Sequence, residues 1–364
     1  MAYRNVSTPR FYVNSLEFLS SNGIMPFSDF TYMDTVTGSG YNSLNPSATN
    51  ILNLNELNDG RNAVTLYNLS GLPCNFAFLL GHNIRTMLNT TGNEGGFPAL
   101  YPTFSPSGNE IPLISGGVND NNDGWTYHPE YDGFSSLLFD EIAADTITVA
   151  FAGTGTGTLN LNAIVIGKYY DMPHSPDLSL KLNFERGSSH HQKTMTGASF
   201  SNTIWDKPPS WGNLGPWELW SATDYESREA VVPSTLYKKG RRSWDLKFSY
   251  LDDGDIWGPN QMLGDYLDPS TTLDDGDEND GYFQYNLLTD DNFFSQVWHK
   301  TLGGNLPFIF QPDAPVLNET TGLYEGGNNN PDQFAICKFK ESSLKAKQSA
   351  HGVYDVSLVI EEVW

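Results

Sequence analysis

Apolar residues recur at every second position in several short runs along this chain. "AVTLYNL" (63–69) alternates, and "NFAFLLGHN" (75–83) is a continuous apolar run that stops at Gly81. The first predicts a half-buried strand and the second a fully buried one. "TITVAFAGTGTGTLNLNAIVIG" (146–167) holds two alternating segments around a Gly-Thr run, which predicts a hairpin whose turn uses glycine at positive φ. Alternation resumes at Leu178, Leu180, Leu182 and Phe184, and again in "SWDLKFSYL" (243–251). "LPFIFQP", "QFAICKFK" and "VYDVSLVIEEV" predict three closing strands.

One stretch breaks this rhythm. "TDDNFFSQVWHKTLGG" (289–304) reads as a helix near 290–302, with Thr289 as N-cap, Asp290 and Asp291 in the first turn, and Lys300 near the end before Gly303. Its predicted buried stripe is Phe293, Phe294, Val297 and Leu302. Residues 84–135 read as long polar loops, too rich in Gly, Asn and Pro for helices. No repeat of 20–50 residues is visible.

The pattern predicts an all-β (mainly β) protein: an N-terminal jelly-roll or other two-sheet sandwich over 1–170, and a C-terminal β-sandwich domain with one short helix over 236–364. Between them, 171–235 is a connecting segment rich in Pro and Trp, with Trp205, Trp211, Trp217 and Trp220 inside it. In "LNAIVIGKYYDMPHSP" (161–176) the chain passes from a strand to a turn in which Pro173 and Pro176 bias Met172 and Ser175 away from helix. His174 sits between those prolines with no partner at a recognisable catalytic spacing, and reads as a hinge or interface residue.

Charge sharpens the division. The chain of 364 residues carries a formal net charge of −23, which argues against binding a nucleic-acid backbone or an anionic membrane through broad electrostatics. Only Arg4, Arg10, Arg61, Arg85 and Lys168 supply positive charge before residue 171, and 251–299 contains no Lys or Arg at all. No run approaches the ~20 apolar residues of a membrane helix, and the N-terminus has no apolar signal region. Cys74 and Cys337 lie far apart inside apolar runs and read as reduced core thiols.

Candidate chemistry is sparse. "GTGTGT" lacks the Gly-Lys-Ser/Thr ending of a phosphate-binding loop and is followed by a strand. "NDNNDGWTYHPE" places oxygen ligands at Asn119, Asn121 and Asp123, Gly124 sixth and Glu130 twelfth, the spacing of a calcium loop. It has Asn where the first ligand is usually Asp, a Pro before the Glu, and no flanking amphipathic helices, so a solvated polar loop is the competing reading. Asp275 and Asp277 in "DDGDEND" are the other hard-oxygen ligands, and Ca²⁺ is the ion such loops suit, though no motif requires a cofactor. His190-His191 cannot alone make a zinc site, because neighbours on a strand point to opposite faces. No nucleophile motif is recognisable, which predicts that the chain is not an enzyme. The aromatics offer one binding hint. Trp125, Tyr127, Trp205, Trp211, Trp217 and Trp220 could stack on sugar rings, or could fill cores and subunit interfaces.

The order of "FAFLLGHN" (76–83), "AIVIGKYYDMPHSPDLSL" (163–180), "RRSWDLKFSYL" (241–251), "FFSQVWHKTLGGNLPFIFQPD" (293–313) and "DQFAICKF…VYDVSLVIEEVW" (332–364) resembles a group of structural proteins of tailed bacteriophages, the minor tail or tail-tip type. The resemblance spans most of the chain through short phrases and carries over no catalytic residue. It implies a galactose-binding-like jelly roll in the N-terminal half and a tail-tube or distal-tail type of β-sandwich plus helix in the C-terminal half. It also implies a virion component of the tail or tail–capsid region, assembled in the host cytoplasm as a homo-oligomer with other virion proteins. Alternatives are a virion module that binds host surface glycan, a capsid decoration protein and a polysaccharide-degrading enzyme.

Overall fold

The computed structural model describes residues 6–23, 30–33, 36–37, 52–54, 61–66, 72–82, 100–106, 113–115, 117–120, 124–127, 133–144, 147–153, 159–161, 163–185, 189–203, 241–257, 290–318, 323–330 and 333–363. The protein is mainly β, with its strands in antiparallel sheets that pack as a sandwich.

The largest sheet has eight strands. Across it run Tyr169–Asp171, Arg10–Val13, Phe308–Gln311, Ala335–Phe339, Val353–Glu362, Arg241–Asp252 and Lys181–Glu185, and Lys345–Ala350 also pairs with Val353–Glu362. This sheet is drawn mostly from 241–362, yet it takes in Arg10–Val13 and the link at Tyr169–Asp171. A four-stranded sheet has the order Ala163–Gly167, Leu72–Leu80, Phe134–Ala144, Leu113–Ser115. A six-stranded sheet runs Phe30–Met33, Arg61–Leu66, Ile147–Gly153, Leu100–Pro106, Gly124–Tyr127, Gly117–Asp120.

Period-2 alternation assigns each strand of the main sheet to two cores. Phe11 and Val13, Phe308 and Phe310, Cys337 and Phe339, and Trp244, Leu246 and Phe248 face one side, where Phe293, Val297 and Ile256 cover them. The intervening Tyr12, Ile309 and Ile336 face the other side, against Phe76, Phe78 and Leu80 of Leu72–Leu80 and Val165 of Ala163–Gly167. Aromatic rings interlock there: Phe134 and Phe334 have centroids 4.8 Å apart, and Tyr12 meets Phe78 edge-on at 4.7 Å. Fully burying one such ring contributes about 1.5–3 kcal/mol, so this contact fastens the two sheets.

Several expectations are corrected by this topology. The hairpin across the Gly-Thr run does not form. Ile147–Gly153 pairs with Arg61–Leu66 and Leu100–Pro106, while Ala163–Gly167 pairs with Leu72–Leu80 in a different sheet. Alternation fixes a strand's faces but not its neighbour. The polar stretch 84–135 contains strands, including Leu100–Pro106 along Ile147–Gly153. The helix near 290–302 is a wide π-turn, Phe294–His299, and its first turn is held by Asn292, whose Oδ1 accepts the Ser295 N–H at 2.9 Å. Thr289, the predicted cap, lies outside the described residues. Phe293 and Val297 are buried as expected, but Phe294 is half-buried. Leu302 lies beyond the last turn at φ 52, so it is not part of the stripe. Among the described residues, Ser15–Ser21 and Asp253–Ile256 are also helical.

Candidate functional site

The link at 167–172 is where the chain leaves the four-stranded sheet for the main sheet, and charged groups gather around it. Gly167 lies against the N-terminal segment so closely that an added Cβ would sit 2.5 Å from the Val13 carbonyl oxygen and 2.6 Å from Ser15 Oγ. The Tyr169 N–H donates to Asn75 Oδ1 at 3.0 Å. Arg10 is fully buried, with its Nη2 donating to Asp171 Oδ2 at 2.7 Å and to the Pro315 carbonyl at 3.2 Å, and its guanidinium 3.8 Å from the Tyr169 ring centre. Here strands 10–13, 169–171 and the 315 turn are tied by one side chain, with charge-assisted bonds and a cation–π contact.

Next to it, Lys168 Nζ lies 2.9 Å from Glu141 and 3.6 Å from Asp291. Lys300 is buried rather than capping a solvated helix end, and donates to Gln296 Oε1 at 2.6 Å. Burial first, and then the nearby Lys168 charge, lower its pKa to about 7, while Asp291 and Glu141 oppose that shift. On the far side, the Arg242 N–H donates to Glu362 Oε2 at 2.6 Å and its Nη2 to Glu362 Oε1 at 2.9 Å, with both side chains buried. Burial raises the Glu362 pKa against the pull of Arg242. Arg10, Lys168, Lys300, Arg242 and Glu362 are buried and fasten strands together, while Asp171, Glu141 and Asp291 stay open to solvent on one side.

The buried pair His82 and Ser135 is bonded through Nε2 and Oγ, and burial holds the imidazole's pKa down at about 3. Both residues are 1% exposed, so no substrate reaches them and the pair joins the end of Leu72–Leu80 to Phe134–Ala144. Cys74 and Cys337 are free and buried, as the sequence predicts, and burial raises both thiols. His174 has Nδ1 2.7 Å from the Ser175 carbonyl oxygen and its ring 6.1 Å from that of Phe248, a packing contact on the main sheet.

Of the sequence-predicted site residues, Trp125 and Tyr127 lie in the strand Gly124–Tyr127, which pairs with Gly117–Asp120 so that Trp125 is opposite Asn119. Asn121, Asp123, Glu130, Asp275, Asp277, Trp205, Trp211, Trp217 and Trp220 lie outside the described residues. Among the described residues no three His, Cys, Asp or Glu side chains come together as a metal site, and no helix is long and apolar enough to cross a membrane.

A surface the sequence did not single out stands apart from this closed interior. Lys181–Glu185 is the last strand of the main sheet, held on one side by Arg241–Asp252. It leads into a two-stranded hairpin, Ser189–Lys193 paired with Ser199–Thr203, which forms its own sheet. The turn is well built: Thr194 N–H donates to the Ala198 carbonyl at 2.8 Å, and Ala198 N–H donates to Thr194 Oγ1 at 3.0 Å. Apolar side chains project from this segment into solvent: Leu178 and Met195 are fully exposed, and Phe200 is 63% exposed. "QKTMTGASFSN" (192–202) has no apolar periodicity to flag it; the signal is the isolation of Met195 and Phe200 among small polar residues.

No protein-family model, curated protein or solved structure matches this chain.

Proposed function

We propose that this chain is a structural component of a tailed-bacteriophage virion, a tail or tail-tip protein that acts through protein–protein interfaces and catalyses no reaction. The observation that carries the reading is the contrast between a tightly fastened double core and the exposed apolar side chains of Leu178 and of Met195 and Phe200 on the 189–203 hairpin. Isolated apolar side chains on a surface need no explanation, but Met195 and Phe200 on one closed hairpin suit a contact with another protein. The sequence phrases that resemble phage tail proteins supply the main parts of this core: Leu72–Leu80, the 163–171 link, Arg241–Asp252 and the helix before Phe308–Gln311. Quantitative mass spectrometry of gradient-purified particles tests the reading. Many copies of the chain per particle are expected, and its absence from particles overturns the proposal.

A second reading, a glycan-binding module of the same virion, is favoured by Trp125 and Tyr127, which hold alternate positions of one strand near the edge of the six-stranded sheet. Such spacing suits stacking on consecutive sugar rings. Saturable binding on a glycan array that is lost in Trp125→Ala supports this reading, and an array without signal removes it. Ca²⁺ at Asn119, Asn121, Asp123 and Glu130 belongs to that second reading, and a calcium titration followed by calorimetry tests it.

A further inference from the structure

One edge of the main sheet stands in solvent. Lys345–Ala350 pairs with Val353–Glu362 on one side, and among the described residues no strand lies on its other side. Five of its six residues are exposed; only Ala346 is half-buried, packed with Leu344 and Tyr354 against the first core. Backbone bonds set the phase of this edge. The Lys340 N–H donates to the Val359 carbonyl and the Val363 N–H to the Ile336 carbonyl, both at 2.9 Å. Odd-numbered residues of Val353–Glu362 therefore direct their N–H and C=O groups to this side. Lys345 lies opposite Ser357 and Lys347 opposite Asp355, so these two lysines complete the ladder. The N–H and C=O groups of Ala346 and Gln348 are left pointing outward.

The same strand is basic in an acidic chain. Residues 338–350 hold Lys338, Lys340, Lys345 and Lys347 against Glu341 alone, where the whole chain has a net charge of −23. Alternation puts Lys345 and Lys347 on the face away from the core positions Val356 and Leu358. Both lysines are exposed; Glu341 pairs with Lys345, and Asp355 lies opposite Lys347.

We propose that Lys345–Ala350 is a docking edge for an extended acidic segment of another protein, added to the main sheet as a further strand. Backbone bonds to Ala346 and Gln348 hold the segment in place. Carboxylates at its alternate positions meet Lys345 and Lys347, and apolar side chains between them extend the core past Ala346. A second copy of this edge does not fit, because two-fold antiparallel registers centred on Ala346 or Lys347 set lysine against lysine. The edge is a different element from the 189–203 hairpin, and its occupancy is measured without particles.

Fluorescence anisotropy on the full chain tests this with a labelled, end-blocked peptide of repeated Glu-Val pairs. Saturable binding is expected at about 0.05 M salt, weakening at least ~10-fold by about 0.5 M. A peptide of repeated Lys-Val pairs of the same length is expected to bind at least ~10-fold more weakly. Gln348→Pro removes an outward donor while sparing the bonds to Val353–Glu362, and is expected to weaken the acidic peptide at least ~10-fold. The wild type is also titrated with the acidic peptide N-methylated at every peptide bond, which leaves the protein strand untouched, and the same loss is expected. No saturable binding of the acidic peptide overturns the inference, as does equal binding of the basic or the N-methylated peptide. Undiminished binding to folded Gln348→Pro puts the peptide elsewhere and overturns it too.

Discussion

Gly167 and Lys300 show how individual residues serve the seam between the two sheets. A methyl group at 167 would press on the Val13 carbonyl and the Ser15 hydroxyl, and the backbone carbonyl cannot swing away. Gly167→Ala is therefore expected to lower stability by roughly 1–3 kcal/mol, read as a drop in the midpoint of urea unfolding. Lys300 gives a pH signature. Its pKa falls from 10.5 to about 7 on folding, so between those values the unfolded chain holds the proton that the folded chain has lost. Stability from this group is present above the unfolded value and is lost as pH falls toward about 7. The wild type should gain on Lys300→Met by up to about 1.4 kcal/mol per pH unit across that window in parallel denaturant titrations. Equal slopes would show that Lys300 keeps its charge. The sequence marked Lys300 as a last-turn cation; two of the charges that act on it, Lys168 and Glu141, arrive from elements far along the chain.

At the scale of elements, strands with strict alternation were legible because each face meets its own core: Trp244, Leu246 and Phe248 opposite Ile360, Leu358 and Val356 are written plainly in the sequence. The partners of Ile147–Gly153 and Ala163–Gly167 were not, since sheet order follows from packing between distant segments. The helix Ser15–Ser21 left a signal in Asn14 and Glu17, an N-cap followed by an acid three residues later, but it is too short to show a helical period. In the π-turn the equivalent signal is Asn292, three residues after the predicted cap Thr289. Asn292→Ala removes the acceptor for the Ser295 N–H and should cost about 1 kcal/mol, measured by thermal unfolding. An unchanged midpoint would mean that solvent or another group takes its place. The exposed Met195 and Phe200 escaped sequence reading for a different reason: they stand singly among small polar residues, with no period to mark their hairpin.

For the whole molecule, the fold class was legible and the candidate site was not. Alternation and turn residues define a mainly-β sandwich, whereas the exposure of Leu178, Met195 and Phe200 has no motif and is visible only once both cores are known. The interior supports that division of labour. Buried ion pairs such as Arg242 with Glu362 add little net stability compared with apolar packing, but they help fix which strands meet. An electron-microscopy reconstruction of a phage particle carrying this chain tests the central claim most directly. The account predicts several copies in the tail region, each in contact with other particle proteins. Particles that lack the chain, or that hold copies touching no other particle protein, would contradict it.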